Sequence, residues 1–313
     1  DATAGQIGAV LAALRVKGES VEELAGAANT MRALSTKVGV TAAHLVDTCG
    51  TGGSGEKLFN ISTAGALVAA AAGAKVAKHG NRKMTSFSGS ADVLEAAGVR
   101  LDITPEQIAT CISEVGVGFM FAQAHHSAMR FAGPIRQEIG IRTMMNVLGP
   151  MTNPAGAQHQ VIGVFSQHWQ RKMAEVLHLL GAQHAMIVHS HGLDEIRLDA
   201  PTRVIELNQG EIEEYEISPE EFGIKPMASD KLSSIRATSA ASSLELVLQS
   251  LEDDTSAAAD IVSLNAGAAI YVSGVATSLA NGVAMAQDAI SSGLAKERLN
   301  ELVRVTKLMA SND

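Results

Sequence analysis

The sequence predicts an α/β fold, a sheet with helices on both faces, preceded by a helical segment. From Leu45 onward, short apolar segments alternate with segments of helical composition, as expected when strands and helices follow one another in such a sheet. The chain starts differently, because residues 4–16 carry apolar side chains at helical spacing. Ser20 and Glu23 then open a second helix through a capping box. The 313 residues suffice for one large domain or two moderate ones.

The predicted elements can be placed in chain order. The strands are predicted at Leu45–Asp47, Ala74–Ala77, Val117–Phe121, Gln160–Phe165 and Ala185–His189. The helices beyond the first are predicted at Ser20–Leu34, Ser62–Ala72, Gly89–Ala97, Thr104–Val115, Gly133–Val147, Gln170–Leu180, Ala259–Val275 and Leu279–Met309. After Thr202, two strand-like segments flank Asn208–Gly210 and predict a hairpin, and the stretch from Ser218 to about Ser239 is irregular.

Composition excludes some classes of function. The formal net charge is −9 and aromatic residues make up 3%, so we expect no nucleic-acid partner, which would need a basic face. The chain has two cysteines, too few for a disulfide framework, which indicates a reduced, cytoplasmic protein. Its longest apolar stretch, Ala64–Ala74, is too short to span a bilayer, so we expect no membrane association.

The stretch Asp47–Gly55 is the strongest functional signal. It holds four glycines within six residues, directly after a predicted strand and shortly before a helix that Ser62 or Thr63 can cap. Glycines let the backbone approach a ligand, and a helix start favours an anion, so the stretch predicts a phosphate-binding loop. A dinucleotide fingerprint, a nucleotide P-loop and a plain turn are the alternatives. The first is disfavoured because the next strand ends in Lys78 instead of an acidic residue.

Three further clusters could carry chemistry, two of them after predicted strands and one on a predicted helix. Residues 78–90 combine cations, hydroxyls and glycines, which suits phosphate. Asp194 and Glu195 are hard oxygen ligands that suit Mg²⁺ held jointly with phosphates, although such a pair is often merely solvated. Arg136 and Arg142 lie six residues apart and do not share one helix face, so we expect one to face a site and the other to form a salt bridge.

These motifs resemble those of anthranilate phosphoribosyltransferases, in order and in spacing, across essentially the whole chain. The matching segments are Gly50–Gly53, Asn60–Ala64, Lys78–Arg82, Ser88–Asp92, Leu148–Pro150 with Asn153-Pro154, and Asp194-Glu195. The family joins anthranilate to phosphoribosyl pyrophosphate (PRPP) in tryptophan biosynthesis and releases pyrophosphate. The resemblance implies the two-domain, nucleoside phosphorylase/phosphoribosyltransferase-like (class III) architecture, Mg²⁺ as cofactor and a homodimer. It places residues 1–43 and about 131–150 in the helical domain, and 44–130 with 151–313 in the α/β domain.

The resemblance also implies roles for individual residues. Catalytic roles fall to Lys78, His79 and Arg136, and Mg²⁺ ligands are Ser62, Asp194 and Glu195. The substrates PRPP and anthranilate would be bound by Gly50, Gly53, Ser54, Asn60, Ser62, Thr63, Lys78, Asn81, Arg82, Ser86, Ser90, Arg136 and Pro150. Cys49 is expected to pack in the loop and not to act as a nucleophile.

Three departures from the family pattern stand out. Ser54 replaces a usual Asp, which removes a negative charge near the metal, and Phe87 replaces a polar or small residue. The chain also begins inside the family's first helical region, which we expect to affect the dimer contact. Two alternative functions share the fold: pyrimidine-nucleoside phosphorolysis, and nucleic-acid binding without catalysis.

Overall fold

The computed structural model describes residues 2–82 and 87–311, with the backbone alone at 229–231. Its centre is a seven-stranded sheet with strand order β3-β2-β1-β4-β5-β6-β7. Neighbours among the first five strands are parallel, whereas β6 and β7 form an antiparallel hairpin on the edge. The strands are β1 (Leu45–Gly50), β2 (Lys75–Gly80), β3 (Val117–Phe121), β4 (His159–Gly163), β5 (His184–His189), β6 (Thr202–Asn208) and β7 (Glu211–Ile217).

Twelve α-helices, counted over the described residues, surround the sheet. They are α1 (Ala4–Lys17), α2 (Val21–Leu34), α3 (Ile61–Ala71), α4 (Ser90–Ala96), α5 (Pro105–Thr110), α6 (Ala122–His125), α7 (Met129–Ile139), α8 (Gln170–Leu179), α9 (Ala240–Glu252), α10 (Ala257–Val272), α11 (Leu279–Ser291) and α12 (Leu294–Ala310). No helix in the described part of the chain is both long and apolar enough to cross a membrane.

Both faces of the sheet are covered, as the alternating pattern predicts. In β5, Met186 and Val188 belong to the core that contains α3 and α10, whereas Ala185 and Ile187 belong to the core that contains α2 and α8. This division follows from the two-residue period of a strand, which sends successive side chains to opposite faces. The parallel strands are therefore apolar on both sides, and polar residues on them need a special reason.

The abundant Ala and Gly allow helices α3, α10 and α11 to approach closely. A Cβ on Gly65 of α3 would lie 3.5 Å from the backbone nitrogen of Ala266 in α10. A Cβ on Gly282 of α11 would lie 2.3 Å from the Gly267 carbonyl oxygen, a clash that only glycine avoids. This packing brings α10 close beneath the sheet edge on which the candidate site lies.

The N-terminal helices pack against a later segment. Helices α1 and α2 begin with capping boxes at Thr3 and Ser20. Gly8 of α1 faces Ile135 and Ile139 of α7, whose side chains would lie 3.7 and 3.6 Å from an added Cβ. This contact supports a helical domain that includes residues from about 131 onward, and the domain boundaries remain a prediction.

Several predicted boundaries were wrong. Strand β1 runs to Gly50, beyond its predicted end at Asp47, and β2 runs to Gly80, so Lys78 and His79 lie within a strand. Helix α3 starts at Ile61, which places Ser62 and Thr63 in its first turn instead of at its cap. The helix predicted at Gly133–Val147 ends at Ile139, because Gly140 turns the chain with φ of 62°.

The C-terminal prediction also needs correction. The helical stretch Leu279–Met309 is two helices, separated at Gly293, which has φ of 78°. Helix α9 was not predicted at all, since its serine-rich start resembles the irregular segment before it. The hairpin was predicted correctly, and its turn residues Gln209 and Gly210 both have positive φ.

Candidate active site

The predicted functional clusters meet at one edge of the sheet, the edge at which the parallel strands have their carboxyl ends. The parallel strands β1, β2, β4 and β5 all run toward this edge and end at Gly50, Gly80, Gly163 and His189. The glycine loop, residues 51–55, follows β1 directly. Ligand sites in such folds lie outside the carboxyl ends of the strands, so this edge is the candidate active site.

The glycine loop is fastened on one side and open on the other. The Thr51 N–H donates to the Gly163 carbonyl at 2.9 Å, and the Gly52 N–H donates to Asp194 Oδ2 at 3.0 Å. Gly52 and Gly53 adopt φ of 66° and 78°, which favours glycine. No described residue accepts a hydrogen bond from the N–H groups of Gly53, Ser54 or Gly55. These donors form a place for an anion.

Two glycines allow the acidic loop to sit against the strand ends. A Cβ on Gly50 would lie 2.7 Å from Asp194 Oδ2, and one on Gly163 would lie 1.6 Å from the Asp194 carbonyl oxygen. Gly163 was not singled out from the sequence, because nothing in its local pattern reveals a contact with a loop 31 residues later. Both positions therefore fix where Asp194 stands.

The two adjacent carboxylates are partly buried and repel each other. Burial, followed by the charge of Asp194, raises the pKa of Glu195 to about 8. Burial also raises the pKa of Asp194, whereas the nearby Ser54 hydroxyl and the Gly52 N–H, which donates to its carboxylate, act in the opposite direction. The Ser62 N–H at the start of α3 binds Glu195 in the same way. The pair is poised to bind a cation.

Asn265 of α10 holds the peptide next to this pair. Its side-chain oxygen accepts from the Ile196 N–H at 2.9 Å, and its Nδ2 donates to the Ile196 carbonyl at 3.0 Å. Asn265 is buried within a largely apolar helix. Sequence reasoning missed this contact, although a lone Asn in an Ala-rich helix is a signal that could have found it.

Lys78 is the buried cation of the site. It is 3% exposed, and its Nζ donates to the Thr48 carbonyl and to Ser62 Oγ, the latter at 3.3 Å. Burial lowers its pKa, whereas the charges of Asp47 and Glu195 act to raise it. Lys78 thus lies between a buried carboxylate and the candidate metal ligands, beside the first turn of α3.

Asp47 is a functional residue that the sequence analysis left without a role. It is fully buried, accepts from the His79 N–H at 3.1 Å, and accepts from Asn153 Nδ2 at 2.8 Å. Burial raises its pKa, and the charge of Lys78 opposes this increase. The Cys49 thiol also hydrogen-bonds Asp47, and burial raises the thiol pKa, which makes Cys49 a poor nucleophile. Asp47 therefore locks β1, β2 and the loop after Pro150 together.

On the face of β2 opposite to Lys78, two histidines form the second half of the candidate site, which we call the histidine half-site. The rings of His79 and His126 are 5.1 Å apart, centre to centre, and both are buried. One nitrogen of each ring is held by a backbone carbonyl, of Gly149 and Thr152 respectively, while each Nε2 has no partner among the described residues. Burial lowers their pKa values, to about 3 for His79 and about 4 for His126. Both are neutral at pH 7 and offer a lone pair.

The remaining predicted residues differ in how well the geometry supports them. Asn60 is held by Ser243 of α9, which accepts from its N–H at 3.0 Å and donates to its Oδ1 at 2.7 Å. Ser90 Oγ donates to the Asn81 carbonyl at 3.3 Å, so these two lie together. The Thr63 hydroxyl is buried without a partner among the described residues.

Arg82 pairs with acidic side chains of α4. Its Nη2 donates to Glu95 of α4 at 2.7 Å, and its Nη1 lies 3.5 Å from Asp92, so its role in binding substrate stays a prediction without geometric support. Ser86 lies outside the described residues. Phe87 is exposed, with the Lys57 ammonium 4.3 Å from its ring centre.

Arg136 lies in α7, and Pro150 lies in the segment that joins α7 to β4. Arg136 is partly buried, which lowers its pKa, and no described residue accepts a hydrogen bond from its guanidinium. Pro150 is buried, and its carbonyl accepts from Gln160 Nε2 at 2.7 Å. A half-buried guanidinium without a partner suits a ligand carboxylate.

The oxygen donors near the glycine loop fit Mg²⁺ that is also bound by water and substrate, and they are too few to bind a metal ion by themselves. The described residues contain no group of three or more His, Cys, Asp or Glu side chains that could hold a metal. Asp194, Glu195 and the Ser62 hydroxyl supply hard oxygens, an incomplete set of the kind that Mg²⁺ completes with water and substrate phosphates. The crowded negative charge on the two carboxylates calls for a divalent partner.

Comparison with protein families covers both parts of the chain. A model described as "Glycosyl transferase family, a/b domain" matches residues 42–296, and one described as "Glycosyl transferase family, helical bundle domain" matches residues 1–35. Together they confirm the predicted fold class, a helical domain followed by an α/β domain.

Individual relatives agree with this assignment. The chain is 56% identical to anthranilate phosphoribosyltransferase of Thioalkalivibrio sulfidiphilus, over 98% of this chain and 90% of the relative, and 55% identical to that of Marinomonas sp., over 100% and 90%. Among solved structures, the Thermus thermophilus enzyme of that name is 42% identical with a TM-score of 0.92, covering 98% and 91% of the two chains. The Saccharomyces cerevisiae enzyme in complex with PRPP and Mg is 25% identical with a TM-score of 0.88, covering 97% and 85%. The chain belongs to the anthranilate phosphoribosyltransferase family.

Proposed function

We propose that this chain transfers the phosphoribosyl group of PRPP to the amine of anthranilate, releasing pyrophosphate, in tryptophan biosynthesis. One observation carries the proposal: an anion-binding loop, a buried lysine and a carboxylate pair converge at the sheet edge beside a half-site of two neutral histidines. The first group suits a metal-bound pyrophosphate, and the second suits an aromatic amine. Membership of the family supports the same reading.

PRPP would occupy the glycine-loop half of the site. The free N–H groups of Gly53, Ser54 and Gly55 suit its pyrophosphate, and Gly50 allows the close approach. The remaining contacts are assigned by resemblance to the first turn of α3 and to the loop after β2, at Asn60, Ser62, Thr63, Asn81, Arg82, Ser86 and Ser90.

Mg²⁺ would be held by Asp194, Glu195 and the Ser62 hydroxyl. When bound, it neutralises charge on the pyrophosphate as the leaving group develops. The yeast relative was solved in complex with PRPP and Mg, which supports the use of this ion. Lys78 stabilises the same negative charge, because its ammonium lies 3.3 Å from Ser62 Oγ.

Anthranilate would bind on the histidine side. The unpartnered guanidinium of Arg136 suits its carboxylate. The unpartnered Nε2 of His79 accepts a hydrogen bond from its amine, which directs the nitrogen lone pair toward the ribose. Asn81 and Pro150 complete this pocket by resemblance.

The chemistry needs position and charge more than proton transfer. A His79 imidazole with a pKa of about 3 is a weak base, so it orients the amine more than it removes a proton before attack. Holding amine and anomeric carbon in line contributes up to about 7–11 kcal/mol in favourable cases. Lys78 and the metal then favour departure of pyrophosphate.

Turnover can be measured directly. The protein is mixed with anthranilate, PRPP and Mg²⁺, and loss of anthranilate fluorescence is followed together with pyrophosphate release. We expect equal amounts of anthranilate consumed and pyrophosphate formed, and no phosphate-dependent cleavage of thymidine or uridine. Absence of turnover at every Mg²⁺ concentration, from folded protein, would refute the proposal.

We further propose a cytoplasmic homodimer, as the resemblance implies, without a nucleic-acid partner. The formal net charge of −9 supports the absence of a nucleic-acid partner. Sedimentation analysis tests the dimer, and a low-salt gel shift tests nucleic-acid binding.

A further inference from the structure

Arg142 is an exposed residue that contacts the glycine loop at Gly53. Its Nη2 donates to the Gly53 carbonyl at 2.8 Å, and its guanidinium lies over the Phe165 ring, 4.2 Å from the ring centre. The sequence analysis expected either Arg136 or Arg142 to form a salt bridge, and neither does so within the described residues. The Arg142 guanidinium thus binds one backbone carbonyl and is stabilised by a cation–π contact with an aromatic ring.

This carbonyl belongs to a peptide that matters for the anion site. The Gly163 carbonyl fixes Thr51 and the Asp194 carboxylate fixes Gly52, but Arg142 is the one described side chain that binds the Gly53 backbone. The Gly53 carbonyl and the Ser54 N–H are parts of one planar peptide and point in opposite directions. When Arg142 holds the carbonyl, the Ser54 N–H is therefore directed away from Arg142.

The same peptide could turn over if it were not held. Gly53 has φ of 78° and follows another glycine with positive φ, so little steric resistance opposes a flip. A flipped peptide would present a carbonyl oxygen to the pyrophosphate in place of an N–H group, which is repulsive.

We propose that Arg142 is a positioning residue that locks the Gly53–Ser54 peptide with its N–H toward the pyrophosphate of PRPP. The inference rests on the proposed function, since it concerns the same substrate. Arg142 acts through the backbone and touches neither reacting atom. Its loss weakens PRPP binding while anthranilate binding and folding are retained.

The test compares Arg142→Ala and Arg142→Lys with a matched control, Arg130→Ala. Arg130 is also an exposed arginine over a ring, that of Phe131, but it contacts no part of the glycine loop. Calorimetry measures the Kd of PRPP with Mg²⁺ in the absence of anthranilate. Steady-state kinetics gives KM for each substrate, and a thermal scan gives Tm.

We expect Arg142→Ala to raise the Kd and KM for PRPP roughly ten-fold, the lower end for a hydrogen bond from a charged donor. KM for anthranilate and Tm should match those of Arg130→Ala. Millimolar guanidinium should restore part of the PRPP affinity to Arg142→Ala alone. Arg142→Lys should recover little, because an ammonium lacks the planar fork that stacks on Phe165.

Three results would overturn the inference: an unchanged Kd for PRPP, an equal rise of both KM values with a lower Tm, or full recovery in Arg142→Lys. An unchanged Kd would mean that the Gly53–Ser54 peptide keeps its orientation without Arg142. An equal rise of both KM values with a lower Tm would mean that Arg142 has a structural role, and full recovery in Arg142→Lys would mean that only its charge matters. If the wild type itself neither binds PRPP nor turns over, the proposed function fails and the inference falls with it. An active wild type with an unaffected Arg142→Ala overturns the inference alone.

Discussion

Gly163→Ala should damage the site by moving the acidic loop. The new Cβ would lie 1.6 Å from the Asp194 carbonyl oxygen and 2.4 Å from its carbonyl carbon. Both are backbone atoms, so no side-chain rotation relieves the clash. Ordinary contact between carbon atoms needs about 3.5 Å, so the loop must retreat by roughly 1.5–2 Å.

Two effects of this displacement can be estimated. Overpacking of this kind costs about 1–3 kcal/mol of folding free energy, which corresponds to a fall in Tm of several °C for a chain of this size, roughly 2–4 °C per kcal/mol. Misplacing catalytic groups by 1 Å can cost about a hundred-fold in rate. We therefore expect kcat/KM to fall about a hundred-fold or more, with a higher Mg²⁺ requirement, since Asp194 and Glu195 move together.

The assay follows anthranilate fluorescence across a Mg²⁺ titration, beside a thermal scan. Gly26→Ala in α2 is the matched control, because no neighbour lies within 4 Å of its added Cβ. Gly50→Ala provides a graded case, since its clash is with the carboxylate end of Asp194 at 2.7 Å, which can rotate. If Gly163→Ala keeps kcat/KM and the Mg²⁺ profile within two-fold of the control, the placement of the acidic loop is refuted.

Three further predictions concern charge in and beneath the site. With no metal present, raising the pH from 5 to 8.5 should destabilise the wild type relative to Glu195→Gln, because a carboxyl with a folded pKa of about 8 binds its proton more tightly than in the unfolded chain. The difference in folding free energy between the two proteins, at most about 5 kcal/mol, develops above pH 4.5. Parallel profiles of Tm against pH would contradict this prediction. Ser54→Asp should shift the Mg²⁺ optimum to lower concentration more than it changes KM for anthranilate, since a carboxylate replaces a hydroxyl beside Asp194; superimposable Mg²⁺ titrations would reject this. Asp47→Asn should lower the free energy of unfolding in urea by about 1–3 kcal/mol, because the amide cannot accept from both the His79 N–H and Asn153; an unchanged midpoint would exclude the role of Asp47.

The sequence was most informative where local pattern decides structure. The capping box at Ser20 predicted the start of α2, and alternation with a glycine turn predicted the β6–β7 hairpin. The order of strands and helices predicted the covered sheet, and family motifs supplied the members of the site. Each of these features depends on neighbours within a few residues of each other.

The sequence was least informative where contacts are distant in the chain. Asn265 and Gly163 act on the acidic loop from α10 and β4, and Ser243 holds Asn60 across 183 residues. No local periodicity encodes such partners. Arg142 shows the same difficulty, because its spacing suggested a salt bridge and its partner is a carbonyl 89 residues away.

The pKa values also lay beyond local reasoning. The resemblance gave His79 a catalytic role, but its burial beside His126 makes it a weak base with a usable lone pair. Lys78 was expected in a loop, whereas it lies buried in β2 between Asp47 and Glu195. Burial is a property of the packed fold, and it determines what these side chains can do.

A crystal structure of the protein with PRPP and Mg²⁺ bound tests the proposed site most directly. Pyrophosphate oxygens should lie within hydrogen-bonding distance of the Ser54 and Gly55 N–H groups, and Mg²⁺ should contact oxygens of Asp194 and Glu195. The Gly53 carbonyl should remain on Arg142, as in the structure described here. Pyrophosphate bound away from the glycine loop, or Mg²⁺ that contacts neither carboxylate, would contradict the proposed site.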